Sequence, residues 1–336
     1  MSQIVSIIVP CYNEEKTIQQ VLEGFLSQSY PRQYMEVIIA DGLSTDGTRR
    51  EIDAFTRDHD DLSITVLDNP KRIIPAALNL ALQATRGDII LRFDGHSIPY
   101  PDYVENCVHD LEAGLGEVVG GTWEIRPGAG TWIAHSIAAA AAHPLGVGDA
   151  LYRHSDKPAY VDTVPFGAFK KELLASVGYY DESLMVNEDY EFNTRVRDHA
   201  GRIWMNPAIR SIYFARSTWK GLVTQYWRYG FWKFHMLKRY PHSLRWRQAL
   251  PPLFVLSILS LLILGCFFKT FFIILGLEVL LYSAIMLGAG VLSAWKKHDG
   301  RLIPGLPISI LSMHLAWGSG FLWGIINRLI KSGKAE

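Results

Sequence analysis

Two apolar runs stand back to back near the end of the chain, residues 250–268 and 270–295, with Lys269 as the clear break between them. Each is long enough to cross a hydrocarbon layer of about 30 Å as a helix. Lipid offers the backbone no hydrogen-bond partners, so a tight helical hairpin is the structure open to such a pair. A third run, 302–326, is weaker. Pro304 and Pro307 interrupt its start, and Ser309, Ser312, His314 and Ser319 dilute it. The fold must therefore join a membrane part to whatever residues 1–249 build.

Charge placement sharpens this. Lys+Arg and Asp+Glu are both 33, so the net charge of zero points to no partner, and no nucleic acid is expected. Yet no acidic residue lies between Asp198 and Glu278, while Arg202, Arg210, Arg216, Lys220, Arg228, Lys233, Lys238, Arg239, Arg245 and Arg247 do. This basic collar precedes the hairpin, Lys296, Lys297 and Arg301 follow it, and Arg328, Lys331 and Lys334 close the chain. All three clusters share the cytoplasmic side if only the hairpin crosses and the third run is re-entrant or interfacial; three crossings would put the last cluster opposite. The two-crossing arrangement is the expectation. The spacing Ala316, Gly320, Gly324 lets the third helix pack closely on the others. Glu278, within the second run, marks either function or a partner helix. Cys11, Cys107 and Cys266 have no framework or metal-ligand spacing and fit a reducing cytosol. Met1-Ser2-Gln3 leads straight into a strand, so the soluble part is expected to stay cytoplasmic.

Residues 4–10 form a β-branched run of the kind buried on both faces in a parallel sheet. A helix over 17–26 follows, with Ile18, Val21, Leu22 and Phe25 on one face. Then come strand 36–40, helix 49–57, strand 63–67, helix 74–84 and a strand opening at Gly87. Such alternation predicts a doubly wound α/β layer whose ligand sits beyond the C-terminal strand ends. In the extended stretch through Arg92-Phe93-Asp94-Gly95-His96, residues i and i+2 point the same way, so Asp94 and His96 present an acid and an imidazole together. Gly95 permits a close approach. That pair suits a divalent cation holding a diphosphate, and equally an ordinary Asp-Gly turn. At the other strand ends Tyr12 can stack on a base, Asp41 can accept from a base imide, and Lys71 or Arg72 can meet a phosphate. Each alone also reads as a plain loop residue. An alanine-rich helix over 134–142, with His135 and His143 at its ends, reads as packing near an acceptor cleft.

Taken in order, the segments Val5–Glu15 (with Pro10, Tyr12 and Glu14), Glu36–Thr48 and Gly87–Ser97 resemble the successive signatures of the GT-A family 2 glycosyltransferases. The resemblance implies a nucleotide-diphospho-sugar transferase fold, with Tyr12 and Asp41 as base contacts and Asp94 as principal ligand of Mn2+ or Mg2+. His96 stands where the family has an acid. Imidazole can ligate Mn2+ but is a poorer partner for Mg2+, so His96 either joins the metal or positions the diphosphate. The stretches 165–172 and 177–182 resemble the acceptor-side segment. Asn187-Glu188-Asp189 opens a helix as the family's general-base pair does, with Asp189 the base and Glu188 beside it. Gln225-Tyr226-Trp227-Arg228-Tyr229 resembles the Gln-x-x-Arg-Trp motif of processive synthases, where Gln225 and Arg228 would meet the leaving diphosphate. The same stretch is also what an interfacial amphipathic helix looks like.

The resemblance covers about residues 4–240. It implies a catalytic domain over 1–215, a basic aromatic interfacial region over 216–249 and a membrane domain over 250–336, held multi-pass in the inner membrane with the catalytic domain cytoplasmic. The implied activity is inverting, metal-dependent transfer of one sugar from a UDP-sugar to a polyprenyl-diphosphate-linked saccharide, as in succinoglycan-type exopolysaccharide enzymes. Membrane lipids and glycan-assembly proteins are the implied partners. The alternatives are a polyprenyl-phosphate monosaccharide transferase, a processive synthase and a non-catalytic membrane scaffold.

Overall fold

The computed structural model describes residues 3–332; Lys334 and the side chain of Lys331 lie outside the described residues. The first half alternates as expected. In chain order it runs β1 (Val5–Cys11), α1 (Ile18–Leu26), β2 (Met35–Asp41), α2 (Thr48–Asp58), β3 (Ser63–Asp68), α3 (Ile74–Ala84) and β4 (Ile89–Arg92). Then follow β5 (Ser97–Pro99), α4 (Tyr103–Glu112), β6 (Val118–Pro127), α5 (Trp132–Ala141), α6 (Pro144–Val147), β7 (Ala159–Tyr160), β8 (Ala168–Lys170), α7 (Leu174–Val177), α8 (Glu188–Asp198) and β9 (Ile203–Ala215). Four helices finish the chain: α9 (Trp219–Leu237), α10 (Trp246–Gly265), α11 (Thr270–Lys297) and α12 (Leu302–Ser332).

The strands form a single mixed sheet in the order β3-β2-β1-β4-β8-β6-β9-β5, with β7 on β9. The parallel part is β3-β2-β1-β4, and β8 pairs antiparallel with both β4 and β6. The period-2 pleat sorts the β-branched residues to two faces. Val5, Ile7, Val9, Val37, Ile39, Ile89 and Leu91 pack with Ile18, Leu22, Phe25 and Ile52 in one core. Ile8, Ile38, Ala40 and Ile90 pack with Leu78, Leu82, Phe192 and Val196 in the other. Each such side chain stabilises the fold by roughly 1.5–3 kcal/mol, which is why near-continuous apolar strands form here. Sequence reading missed the antiparallel half, in which the two long strands β6 and β9 are joined to the short β5, β7 and β8 by helices and irregular chain.

Beneath the parallel strands lies a buried polar knot. Ser6 Oγ donates to Glu36 Oε1 at 2.5 Å and accepts from Gly87 N at 2.9 Å, and Arg86 donates from its backbone N and Nε to the same carboxylate at 2.7 and 2.8 Å. A Cβ at Gly87 would stand 2.5 Å from the Ile4 carbonyl oxygen, so glycine is required where β4 enters.

The chain divides into two compact units. The first is 1–124 with 151–213, the second 125–150 with 214–336. The alanine-rich helix forms as α5, belongs to the second unit and packs on α12, where a Cβ at Gly305 would collide with Ser136 Oγ. His143 caps α6 by accepting from Leu145 N at 3.1 Å. Among the described residues, three helices are long and apolar enough to cross a membrane: α10, α11 and residues 302–330 of α12. The third run contains no re-entrant turn. It is one continuous helix, about 46 Å long at 1.5 Å per residue, and Pro304 and Pro307 sit in its first two turns without breaking it. Its small residues do not serve the hairpin alone. A Cβ at Gly320 would lie 2.2 Å from the Trp227 carbonyl of α9, and one at Gly230 of α9 would lie 2.0 Å from the Trp317 carbonyl. Gly318 does meet α10, at the Pro251 carbonyl. Backbone-to-backbone contact thus welds α9 along α12.

Two outcomes follow. Burial alone raises the Glu36 carboxyl, but the bonds from Ser6 and Arg86 outweigh it and hold it below its ordinary value. A depressed acid contributes stability that is present above pH 4.5, the ordinary value, and is lost as pH falls through the folded value. Glu36→Gln should therefore cost about 1.5–3 kcal/mol at pH 7 and flatten the acid limb of denaturant-monitored stability. Gly230→Leu or Gly320→Leu should lower stability in detergent by about 1–3 kcal/mol, whereas Gly276→Leu, where a Cβ meets nothing within 4 Å, should melt like the parent in the same scan.

Candidate active site

The loops after β1 and β2 are laced into one floor. Asn13 N donates to Ser44 Oγ at 2.8 Å, Thr45 N to Asn13 Oδ1 at 2.8 Å, and Glu14 N to Thr48 Oγ1 at 2.7 Å. Asn13 and Leu43 take left-handed φ of 56° and 58° to make these turns. Tyr12 projects from this floor, 46 % exposed, with Gly42 close against its ring. Pro10, the last-but-one residue of β1, is half-buried below.

Asp41 ends β2 beneath this floor. It has no exposed surface, and its carboxylate accepts from Arg49 Nε at 2.6 Å, Ser44 N at 3.0 Å and Ser44 Oγ at 2.5 Å. Arg49 continues to Asp68 at the end of β3. Asp41 thus braces the loop that faces Tyr12 rather than presenting an oxygen outward. Arg72, at φ 54°, carries its guanidinium 6.0 Å from the Tyr12 ring centroid. Lys71 is held by Glu182, Nζ to Oε2 at 2.6 Å. Cys11 lies under this floor, and burial first, then the nearby Asp41 and Glu14, push its thiol far up, so it is an inert core residue.

Beyond β4 the chain delivers Asp94 and His96. His96 Nδ1 meets Glu14 Oε1 at 3.1 Å, while Glu14 Oε2 accepts from Thr17 Oγ1 at 2.8 Å. Glu14 is therefore a support that orients the imidazole. Asp94 faces Arg92, the last residue of β4, whose Nη2 stands 2.9 Å from Asp94 Oδ1 and 3.1 Å from Glu188 Oε1. Nη1 of the same guanidinium is 4.0 Å from Asp189 Oδ2. Arg92 and Glu188 are nearly buried, at 8 % and 7 % side-chain exposure, whereas Asp189 is 38 % exposed. Burial, then the charge of Asp189, push the Glu188 carboxyl well above the usual carboxylate range, while Arg92 pulls it back. The same carboxylates outweigh burial at Arg92 and keep it protonated.

Both acids open α8, where the helix dipole favours negative charge. Asn187 supplies the preceding left-handed turn at φ 68°, and Glu191, fully buried, is clamped by Arg195 at 2.6 and 2.9 Å. The start of α8 is thus anchored one turn on. Gln225 and Arg228 lie on α9 in the second unit, where Gln225 Nε2 donates to Tyr229 Oη at 2.9 Å and Arg228 is exposed. Sequence reasoning missed Arg92 and Arg49. The usable signal was an arginine closing an otherwise apolar strand, a position that needs an acidic partner once buried.

Among the described residues no three His, Cys, Asp or Glu side chains gather to hold a metal by themselves. The donor set present still fits one. Asp94 offers an oxygen and His96 an imidazole, and three carboxylates around one guanidinium leave an excess of negative charge that a divalent cation offsets. Such an ion normally takes its other ligands from substrate phosphates and water.

The chain as a whole is similar to several known proteins. The family described as "Glycosyl transferase family 2" matches residues 6–178. The succinoglycan biosynthesis protein ExoA of Rhizobium meliloti is 30% identical over 318 residues, 94% of this chain and 93% of its own. A dolichyl N-acetyl-alpha-D-glucosaminyl phosphate 3-beta-D-2,3-diacetamido-2,3-dideoxy-beta-D-glucuronosyltransferase of Methanococcus voltae is 27% identical over 332 residues, 96% and 97% of the two chains. In fold, the chain is similar to a mannosyltransferase of Pyrobaculum calidifontis solved with GDP-Man and Mn2+, with a TM-score of 0.63 and 20% identity, covering 96% of this chain and 88% of that one. The sheet is thus a GT-A sheet, and its family match together with the near-full-length likeness to ExoA show that this chain belongs to glycosyltransferase family 2 and is a glycosyltransferase.

Proposed function

We propose that the enzyme moves a single sugar, with inversion, from a UDP-sugar to a polyprenyl-diphosphate-linked saccharide during assembly of a cell-surface glycan. The observation that carries this reading is the meeting of Asp94 with Glu188 and Asp189 around one guanidinium. It brings a metal-type acid and a base-type acid, remote in sequence, to one place at the strand ends.

Asp189 is the base. Of the two acids it is the exposed one, and its Oδ1 is oriented by Tyr190 N at 2.7 Å. It accepts the proton of the acceptor hydroxyl as that oxygen bonds to the anomeric carbon from behind. The bond between that carbon and the diphosphate oxygen breaks, and its electron pair leaves with the nucleotide. Asp94, with His96, would hold Mn2+ or Mg2+, which offsets charge on the departing diphosphate. Tyr12 stacks on the base, and the Ser44–Thr48 turn, braced by Asp41 and Arg49, closes its edge.

A lipid-linked acceptor is supported by three things: the apolar helices, the cations of the collar, and the two long relatives, one named for a dolichyl-linked acceptor. Anionic headgroups and a lipid diphosphate both attract such cations. The catalytic domain, in this reading residues 1–215, lies on the cytoplasmic side of the inner membrane. Residues 216–249 form the interfacial region, and 250–336 the membrane domain.

Purified protein in detergent, given Mn2+, a panel of UDP- and GDP-sugars and a lipid-linked saccharide extract, should release nucleotide in an acceptor-dependent way with a UDP-sugar. Asp94→Ala and Asp189→Asn should each lower kcat by about 10^2–10^4-fold. Full activity in Asp189→Asn would instead favour a lipid phosphate as nucleophile, which needs no base. Absence of both turnover and metal-dependent UDP binding would end the UDP-sugar reading.

A further inference from the structure

We propose that Arg92 is a positioning residue that ties the metal acid to the base, setting the distance between donor and acceptor chemistry. The inference rests on the roles given above to Asp94 and Asp189. Arg92 is in register with Ile8 of the central strand β1, and its backbone N donates to Gly167 O at 3.2 Å, so its root cannot drift. Its guanidinium lies 5.6 Å from the Phe166 ring centroid. Phe166 holds a left-handed φ of 48°, rare for a bulky residue, and its carbonyl accepts from Tyr103 Oη at 2.9 Å. Phe166 also packs on Phe93, with ring centroids 4.5 Å apart, so the ring beside this cation is fixed in the core.

The planar fork matters. One nitrogen, Nη2, serves Asp94 on the loop after β4 and Glu188 on α8, while Nη1 faces Asp189. Lysine, with one rotating head, cannot hold that geometry. Glu188 is then a strut rather than a base: it passes the position of Arg92 to its neighbour Asp189. A misplacement of about 1 Å between reacting groups costs roughly 10^2-fold in rate.

The test measures kcat, acceptor KM and Mn2+-dependent UDP binding by calorimetry for Arg92→Met, Arg92→Lys, Glu188→Gln and the double variant Arg92→Met/Glu188→Gln. Melting curves establish folding. Arg92→Met should lower kcat about 100-fold with acceptor KM moved less than about 3-fold. Its Mn2+–UDP binding should hold or tighten, because Asp94 loses a competing cation. Arg92→Lys should recover part of kcat, and the double variant should be no worse than Arg92→Met. Parental kcat in Arg92→Met, additive losses in the double variant, or parallel loss of Mn2+–UDP binding, kcat and melting temperature would each overturn the proposal. If Arg92→Met does not fold, Arg92→Lys decides, and parental kcat there overturns it. Asp94→Ala and Asp189→Asn run alongside. Turnover surviving in those two sinks the reaction reading and this inference together; turnover lost in them but kept in Arg92→Met sinks this inference alone.

Discussion

A buried guanidinium among three carboxylates is the constraint around which the catalytic half is built. Taking Arg92 out of water is costly unless its charge is met at close range. The fold meets it with Asp94 from the loop after β4 and with Glu188 and Asp189 from the start of α8. That requirement fixes where α8 begins relative to the sheet. It explains why Asn187 accepts a left-handed conformation and why Glu191 is clamped one turn later by Arg195. It also leaves the site with excess negative charge, the electrostatic condition for a divalent cation and its diphosphate.

Two further pieces of packing matter, one in each unit. The loops after β1 and β2 exchange side chain-to-backbone hydrogen bonds at Asn13, Ser44 and Thr48, which tie the two loops into one floor. In the second unit, glycines at 230 and 320 allow α9 and α12 to touch backbone to backbone. Small residues do the same for helices within lipid, where close van der Waals contact replaces the hydrophobic driving force. The basic aromatic helix α9 is therefore part of a helical assembly rather than a loose amphipathic strap.

The parallel half of the sheet was legible because each strand is a short β-branched run and each crossover helix has a 3.6-residue apolar stripe. The membrane hairpin was legible from length and hydropathy, and the family from motifs at successive strand ends. Other features were not. Asp41 was legible as an acid that ends a strand; only packing shows that Arg49 and Ser44 donate to its carboxylate. Pro304 and Pro307 suggested a broken third run; Pro304 falls in the first turn, where amides have no intrahelical partner, and Pro307, further in, forfeits one bond while the helix continues. His96 looked like a ligand in its own right, and the structure pairs it with Glu14.

By itself the sequence determined the alternation of strands and helices, the apolar spans, and the acids and aromatics at the strand ends, because these are local properties of spacing and side-chain chemistry. Tertiary structure alone decided which of those groups face each other. Arg92 lies at the end of an apolar strand and Glu188 many residues away, and no local rule links them. Their pairing arises from desolvation: once the sheet closes over the cation, only a carboxylate brought in from elsewhere can satisfy it.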